Sequence, residues 1–155
     1  MQSFDALIGE MKPRLARAFV SAYGVERGQE ALAEAMSWAA GHPHQLMGMK
    51  NPAGYLYRVG QSRSRQRRER PPEFPPAAAV GLPEIEPGLP AALAALSQRQ
   101  RICVVLVAVE EWTYQEVADL LGVRRSSVQA HVERGMSKLR EALGVSADVA
   151  GQRLG

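Results

Sequence analysis

Apolar residues recur along this chain with a period near 3.6, and the pattern breaks wherever glycine or proline intervenes. Phe4, Leu7, Ile8, Met11, Leu15 and Phe19 form one stripe, ending near Tyr23-Gly24. Ala31, Leu32, Ala35, Met36 and Ala39 form another, stopped by Gly41 and Pro43. Asn51-Pro52 opens a third helix, since asparagine caps free amides and proline suits a first turn. Tyr55, Leu56 and Val59 supply its apolar contacts. Leu93, Leu96, Ile102, Val105, Leu106 and Val109 predict one supporting helix further on.

The stretch from Trp112 to Leu143 carries the sharpest pattern. Thr113-x-x-Glu116 is a capping box, in which hydroxyl and carboxylate satisfy each other's backbone amides at a helix start. Val117, Leu120 and Leu121 follow as an apolar stripe, and Gly122 stands where a left-handed residue ends a helix. Val123 plugs the space between this helix and the next. The second helix places Val128, Val132, Met136, Leu139 and Leu143 on one face. Its opposite face carries Ser127, Ala130 and Arg134, with Ser126, His131 and Lys138 at the margins. That is the layout of a helix-turn-helix whose second helix can lie in a major groove. A helical hairpin with merely solvated cations is the plain alternative.

These elements predict an all-α chain of two small helical domains joined by a Pro-rich linker, the C-terminal one a helix-turn-helix. Residues 1–70 form the first domain, 71–90 the linker, 91–146 the second domain and 147–155 a flexible tail. The linker holds seven of the ten prolines. Proline removes a donor and forces its predecessor out of helical geometry, so no long helix fits there. Extended as polyproline II at ~3.1 Å per residue, it would reach roughly 60 Å.

Composition narrows the picture. At 155 residues and 46% apolar content the chain can bury a core, with alanine and leucine favouring helices. The net charge of +3 is mild, so clustering says more than the total. Six arginines against one glutamate lie in residues 58–70, which offer no residues for a core face and suit a polyanion. The single cysteine, Cys103, excludes an internal disulfide framework and sits in an apolar run as a small core residue. That run is far short of the ~20 residues of a membrane span, and the N-terminus lacks a signal-peptide pattern. A cytoplasmic location is expected. His42-Pro43-His44 has no further ligand at metal spacing, and there is no phosphate loop, nucleophile elbow or carboxylate pair. No enzyme activity, cofactor, metal or small-molecule substrate is expected.

With both halves in view, the chain resembles the extracytoplasmic-function sigma factors, promoter-specificity subunits of bacterial RNA polymerase. In the C-terminal half the resemblance rests on ALAALSQRQRICVVLVAVEEWTYQEVADLLGVRRSSVQAHVERGMSKLREAL, which follows the family's fourth region without insertions. In the N-terminal half NPAGYLYRV looks like the start of the promoter-melting helix, and GQEALAEAMSWAA like the polymerase-binding helix.

The resemblance implies promoter DNA and core RNA polymerase as partners, with an anti-sigma protein as a further candidate. It implies duplex reading of a −35 element by Arg124, Arg125, Ser126, Ser127, Gln129, Ala130, His131, Arg134 and Lys138. It implies capture of a −10 strand by Tyr55, Tyr57, Arg58, Arg63, Arg65, Arg67 and Arg68, and polymerase docking by Glu30 and Glu34. Short side chains let a helix backbone approach base edges while flanking cations hold phosphates. Strand capture wants cations with aromatics for base stacking, although the two tyrosines suit a core equally well.

There are departures. The acidic cluster expected before the polymerase-binding helix is Arg27-Gly28-Gln29-Glu30, which implies an altered clamp interface. Beyond Val59 an expected Asn and Asp give way to Ser62, Arg63, Ser64, Arg65 and Gln66, implying tighter, less selective phosphate binding. Arg124 replaces a serine cap, with Ser126-x-x-Gln129 as a substitute capping box one turn later. The main rival is a helix-turn-helix regulator that binds DNA without promoter melting, either a sigma-like paralogue or a protein with a LuxR-type output domain. LSQRQR, TYQEVADLLGV and SSVQAHV also fit the LuxR-type domain.

Overall fold

The computed structural model describes residues 2–64 and 88–144, and all regular structure among them is helical. The first group of helices is α1 (Phe4–Tyr23), α2 (Val25–Gly41), α3 (Pro43–Met47) and α4 (Pro52–Ser64). The second is α5 (Leu89–Ala95), α6 (Gln98–Val104), a π-turn (Val105–Val109), α7 (Tyr114–Leu121) and α8 (Arg125–Ala142).

In the first group α1 and α2 pack as a hairpin about Gly24, and α4 lies against both. The expected stripes are the buried ones: Met11, Leu15 and Phe19 on α1, Ala31, Ala35 and Ala39 on α2. Asn51 caps α4, its Oδ1 accepting from the Gly54 amide at 3.0 Å. Residues past Val59 do supply a core face, contrary to the sequence reading, because its members are small. Gly60 and Ser64 are buried. A Cβ at Gly60 would stand 2.3 Å from the Phe19 ring and 2.7 Å from the Ala31 carbonyl oxygen. Only a residue without a side chain permits that approach.

In the second group the single supporting helix expected from residues 93–109 is broken. Its chain turns out at Leu96, and Ser97 restarts it as the cap of α6. Ser97 Oγ accepts from the Gln100 amide at 3.2 Å, and Gln100 Oε1 accepts from the Ser97 amide at 3.4 Å. A capping box thus lies inside what looks like one apolar period. Past Val104 the helix widens into the π-turn, and Glu111 follows with φ 61°. Cys103 is fully buried, which pushes its thiol up to about 11, as a core residue's would be.

The two groups pack on one another. One buried cluster runs from Leu15 and Phe19 of α1 through Leu56 of α4 to Ile102, Leu106, Trp112 and Val117 of the second group. Arg101, 4% exposed, crosses the seam: its Nε donates to the Ala22 carbonyl at 3.1 Å, as does Nη2. Its Nη1 donates to the Leu96 carbonyl at 2.9 Å. Ala22 lies in the last turn of α1, where carbonyls lack helical partners and where α1 has no basic residue of its own. Arg101 therefore caps α1 from the other half of the chain.

Candidate nucleic-acid interface

The helix-turn-helix is built as its sequence predicts. Thr113 and Glu116 exchange their two bonds at 3.0 Å each, and these bonds hold the Glu116 carboxyl below its usual range. Gly122 ends α7 in the left-handed region at φ 68°. Val123 packs partly buried against the core. Helix α8 buries Val128, Val132, Gly135 and Leu139 and turns its other side outward.

On that outer side Arg124, Arg125, Ser126, Gln129, Arg134 and Lys138 are exposed, and Ser127, Ala130 and His131 are half-buried. Ser126 therefore stands more openly than Ser127, the reverse of the sequence reading. The substitute capping box at Ser126 does not form. Helix α8 starts two residues earlier than that box would set, with Arg124 as an N-cap that makes no side-chain bond, and Gln129 instead donates to Glu133 at 3.2 Å. The Ser127 amide donates to the Arg124 carbonyl at 3.0 Å, and no side chain caps the helix start where two arginines stand, a combination suited to a phosphate.

His131 differs from a freely exposed reader. Its Nδ1 is buried and meets no hydrogen-bond partner among the described residues. Burial first, then Arg99 and Arg134, push its proton affinity below the ordinary histidine value, so it stays neutral near pH 7. Lys138 bridges to Gln100 Oε1 at 3.1 Å across to α6. Two residues escape the sequence reading. Arg99 adds positive potential beside His131, and Glu133 orients Gln129; the four-residue spacing of Gln129 and Glu133 is the available signal for the second.

The first group places its expected site residues less uniformly. Tyr57 is 2% exposed and stacks on Phe19 with ring centroids 5.0 Å apart, so it belongs to the core and cannot stack on a base. Burial, above all, raises its hydroxyl well beyond the normal tyrosine value. Tyr55 is half-buried and tilts against Trp38 at 4.8 Å. Arg58 is exposed and reaches the helix-turn-helix itself: a Cβ at Gly122 would lie 3.3 Å from its Nη1. Arg63 pairs with Glu34 at 3.1 Å, joining a residue expected on DNA to one expected on polymerase. Glu30 is half-buried on α2. Arg65, Arg67 and Arg68 lie outside the described residues. Of the two histidines flanking Pro43, His42 stacks on Trp38 at 4.3 Å and shares a hydrogen bond between its Nδ1 and the Trp38 carbonyl.

Comparison with known proteins agrees with this geometry. Residues 88–139 match the family described as Sigma-70, region 4. A curated relative, the positive control factor of Bacillus subtilis (strain 168), is 41% identical over 49 residues, covering 32% of this chain. The match spans only 29% of that relative's own length. Among solved structures, the sigma factor RpoE from Bartonella quintana, crystallised with the anti-sigma factor NepR, is similar in fold with a TM-score of 0.62. The identity is 17%, with 92% of this chain and 98% of that one covered. The resemblance to sigma factors thus holds in sequence over residues 88–139 and in fold over both helical groups. Sigma factors are transcription factors rather than enzymes, and no described helix is long and apolar enough to cross a membrane.

Proposed function

We propose that this chain is an RNA polymerase sigma factor that directs core polymerase to particular promoters. One observation carries the reading: a complete helix-turn-helix, within the stretch matching sigma-70 region 4, whose second helix opens outward behind Arg124 and Arg125. Arg124 and Arg125 hold phosphates at the start of α8, and Ser126, Ser127, Gln129, Ala130 and Arg134 face base edges of the −35 duplex. Arg58, Arg63, Arg65, Arg67 and Arg68, with Tyr55, hold the −10 strand. Glu30 and Glu34 dock on polymerase. The chain performs no chemistry itself, acts in the cytoplasm, and has promoter DNA and core polymerase as its partners, with an anti-sigma protein as a further one. The domain boundaries read from the sequence set the two grips apart along the promoter.

The experiment is run-off transcription by purified core polymerase on promoter-bearing genomic fragments, with and without this chain. Discrete chain-dependent transcripts are expected, and their absence would overturn the reading. Neutralising Arg124 or Arg125 should lower the salt slope of DNA binding by about one for each phosphate that the side chain holds.

A second reading has an observation of its own. Tyr57 is sunk in the core, and Ser62, Arg63, Ser64, Arg65 and Gln66 occupy the stretch beyond Val59. A regulator that binds duplex DNA without melting it would show the same features. Footprinting with a single-strand-specific probe separates the two, since a reactive −10 strand appears only with a melting sigma factor.

A further inference from the structure

From Arg124 to Lys138 the sequence of α8 and its cap holds a single acid, Glu133, and it is exposed. A carboxylate among groups that meet a polyanion repels phosphates and weakens binding to every sequence alike. Its position therefore has a cost, and its contact shows what it does in return. Glu133 Oε1 accepts a hydrogen bond from Gln129 Nε2 at 3.2 Å, one helical turn back, and Gln129 is itself exposed.

The chemistry of the two groups makes that bond selective. A carboxamide has one donating end and one accepting end of nearly equal size, and rotation of its last torsion exchanges them. A glutamine free to turn can donate to the oxygen of guanine or thymine, accept from the amino group of cytosine, or do both with adenine. A carboxylate only accepts. With Nε2 toward Glu133 the pair is bonded; with the amide turned round, Oε1 would face a second acceptor with no hydrogen between them. Glu133 thus selects one orientation. Nε2 carries two hydrogens, so one goes to Glu133 and the other remains beside Oε1. That leaves a donor and an acceptor side by side, which matches N7 and N6 of adenine. Guanine presents two acceptors at the same places and would set one of them against Oε1. On an exposed helix such a bond is weak. When DNA covers the face and displaces water, it strengthens, and so does the penalty for turning round.

We propose that Glu133 is a positioning residue that holds the Gln129 carboxamide in one orientation, so that Gln129 selects adenine over guanine at one base of the duplex that α8 reads. The proposal rests on the assignment of α8 to duplex reading and deepens it by naming the base and the device that fixes it. Helix α7 supplies an internal comparison, since Gln115 Nε2 donates to Asp119 Oδ1 at 2.9 Å with the same spacing, on the helix not assigned to base edges.

The test selects duplexes from a randomised library, with the full chain alone and with the chain on core polymerase. Competition titrations then compare all four bases at the position whose preference Gln129→Ala abolishes. Adenine should be preferred over guanine there by about tenfold. Glu133→Ala should reduce the ratio to within about twofold, even as loss of the charge tightens binding to all sequences. In a Gln129→Ala background the Glu133→Ala change should leave base preference unaltered, which a merely structural role or a uniform charge effect would not distinguish. Asp119→Ala should leave the ratio as it is. A preference for cytosine that Glu133→Ala removes with Gln129 already absent would mean that Glu133 reads a base directly, and would overturn the proposal. An adenine preference that survives Glu133→Ala, or one that Asp119→Ala removes equally, would also overturn it. If run-off fails while the base preference behaves as expected, the sigma-factor reading falls and the positioning role stands. If run-off succeeds and Glu133→Ala changes nothing, only the positioning role falls. If no duplex is selected under either condition, both fall.

Discussion

The two halves of this molecule are built by different devices, and the difference decides how each can work. The C-terminal half is assembled from local stops and starts: the Ser97 and Thr113 capping boxes and the left-handed Gly122. Each sets a helix boundary within a few residues, which leaves one side of α8 free for outward-facing polar groups. The N-terminal half is held by close approach of small residues, with Ala18, Ala22, Ala31 and Ala35 fully buried and Gly60 pressed on Phe19. Its candidate readers are correspondingly more engaged with protein: Tyr57 with Phe19, Arg63 with Glu34, Arg58 with the neighbouring turn. A lobe organised by caps can present a face, whereas a lobe organised by packing commits many of its side chains to itself.

The strongest way to break this contrast is at Gly60. Gly60→Leu must displace the Phe19 ring and the α2 backbone, and it should destabilise the fold by about 3 kcal/mol. Urea unfolding would check it, and a loss below about 1 kcal/mol would mean that α4 is less tightly seated than its neighbours indicate.

Next in size is Arg101→Met, which leaves the Ala22 and Leu96 carbonyls without a buried donor that each now has. A loss of about 2 kcal/mol is expected in the same unfolding measurement. Because Arg101 serves both halves, their unfolding should also become less coincident when followed by separate probes.

Caps sharpen the comparison with smaller effects. Thr113→Ala should lose about 1 kcal/mol by removing the bond to the Glu116 amide. Arg124→Ser should move in the opposite direction, adding a side-chain cap where none exists and stabilising by a few tenths of a kcal/mol to about 1 kcal/mol. The same change should weaken DNA binding, as gel-shift titration would register. Stability and binding moving together would remove Arg124 from the proposed phosphate contact.

The smallest effect concerns pH. His131 has its charged form disfavoured by folding, so its contribution is fully present above the ordinary value of 6.5. It is lost as pH falls through the window between 6.5 and the lowered folded value. Thermal unfolding across that window should show a drop that His131→Gln reduces. An identical drop in the variant would assign the acid sensitivity to other groups.

Much of the molecule was legible from residue order alone. Helix boundaries at Asn51-Pro52, Thr113 and Gly122 depend on interactions within four residues, so the local sequence contains both partners. The buried face of α8 follows from periodicity for the same reason. The break at Ser97 was equally local, but an uninterrupted apolar period concealed it. Other features involve partners far apart in the chain. Nothing near Gly60 announces Phe19, nothing near Tyr57 distinguishes a base from a neighbouring ring, and nothing near Arg101 points to the end of α1. Residue order determined which segments are helical and which face of each is greasy, because those are short-range properties of backbone and side chain. Only the folded arrangement decided which arginines meet solvent and which meet protein, and that the two halves lie clasped, because such pairings depend on surfaces brought together from distant parts of the chain.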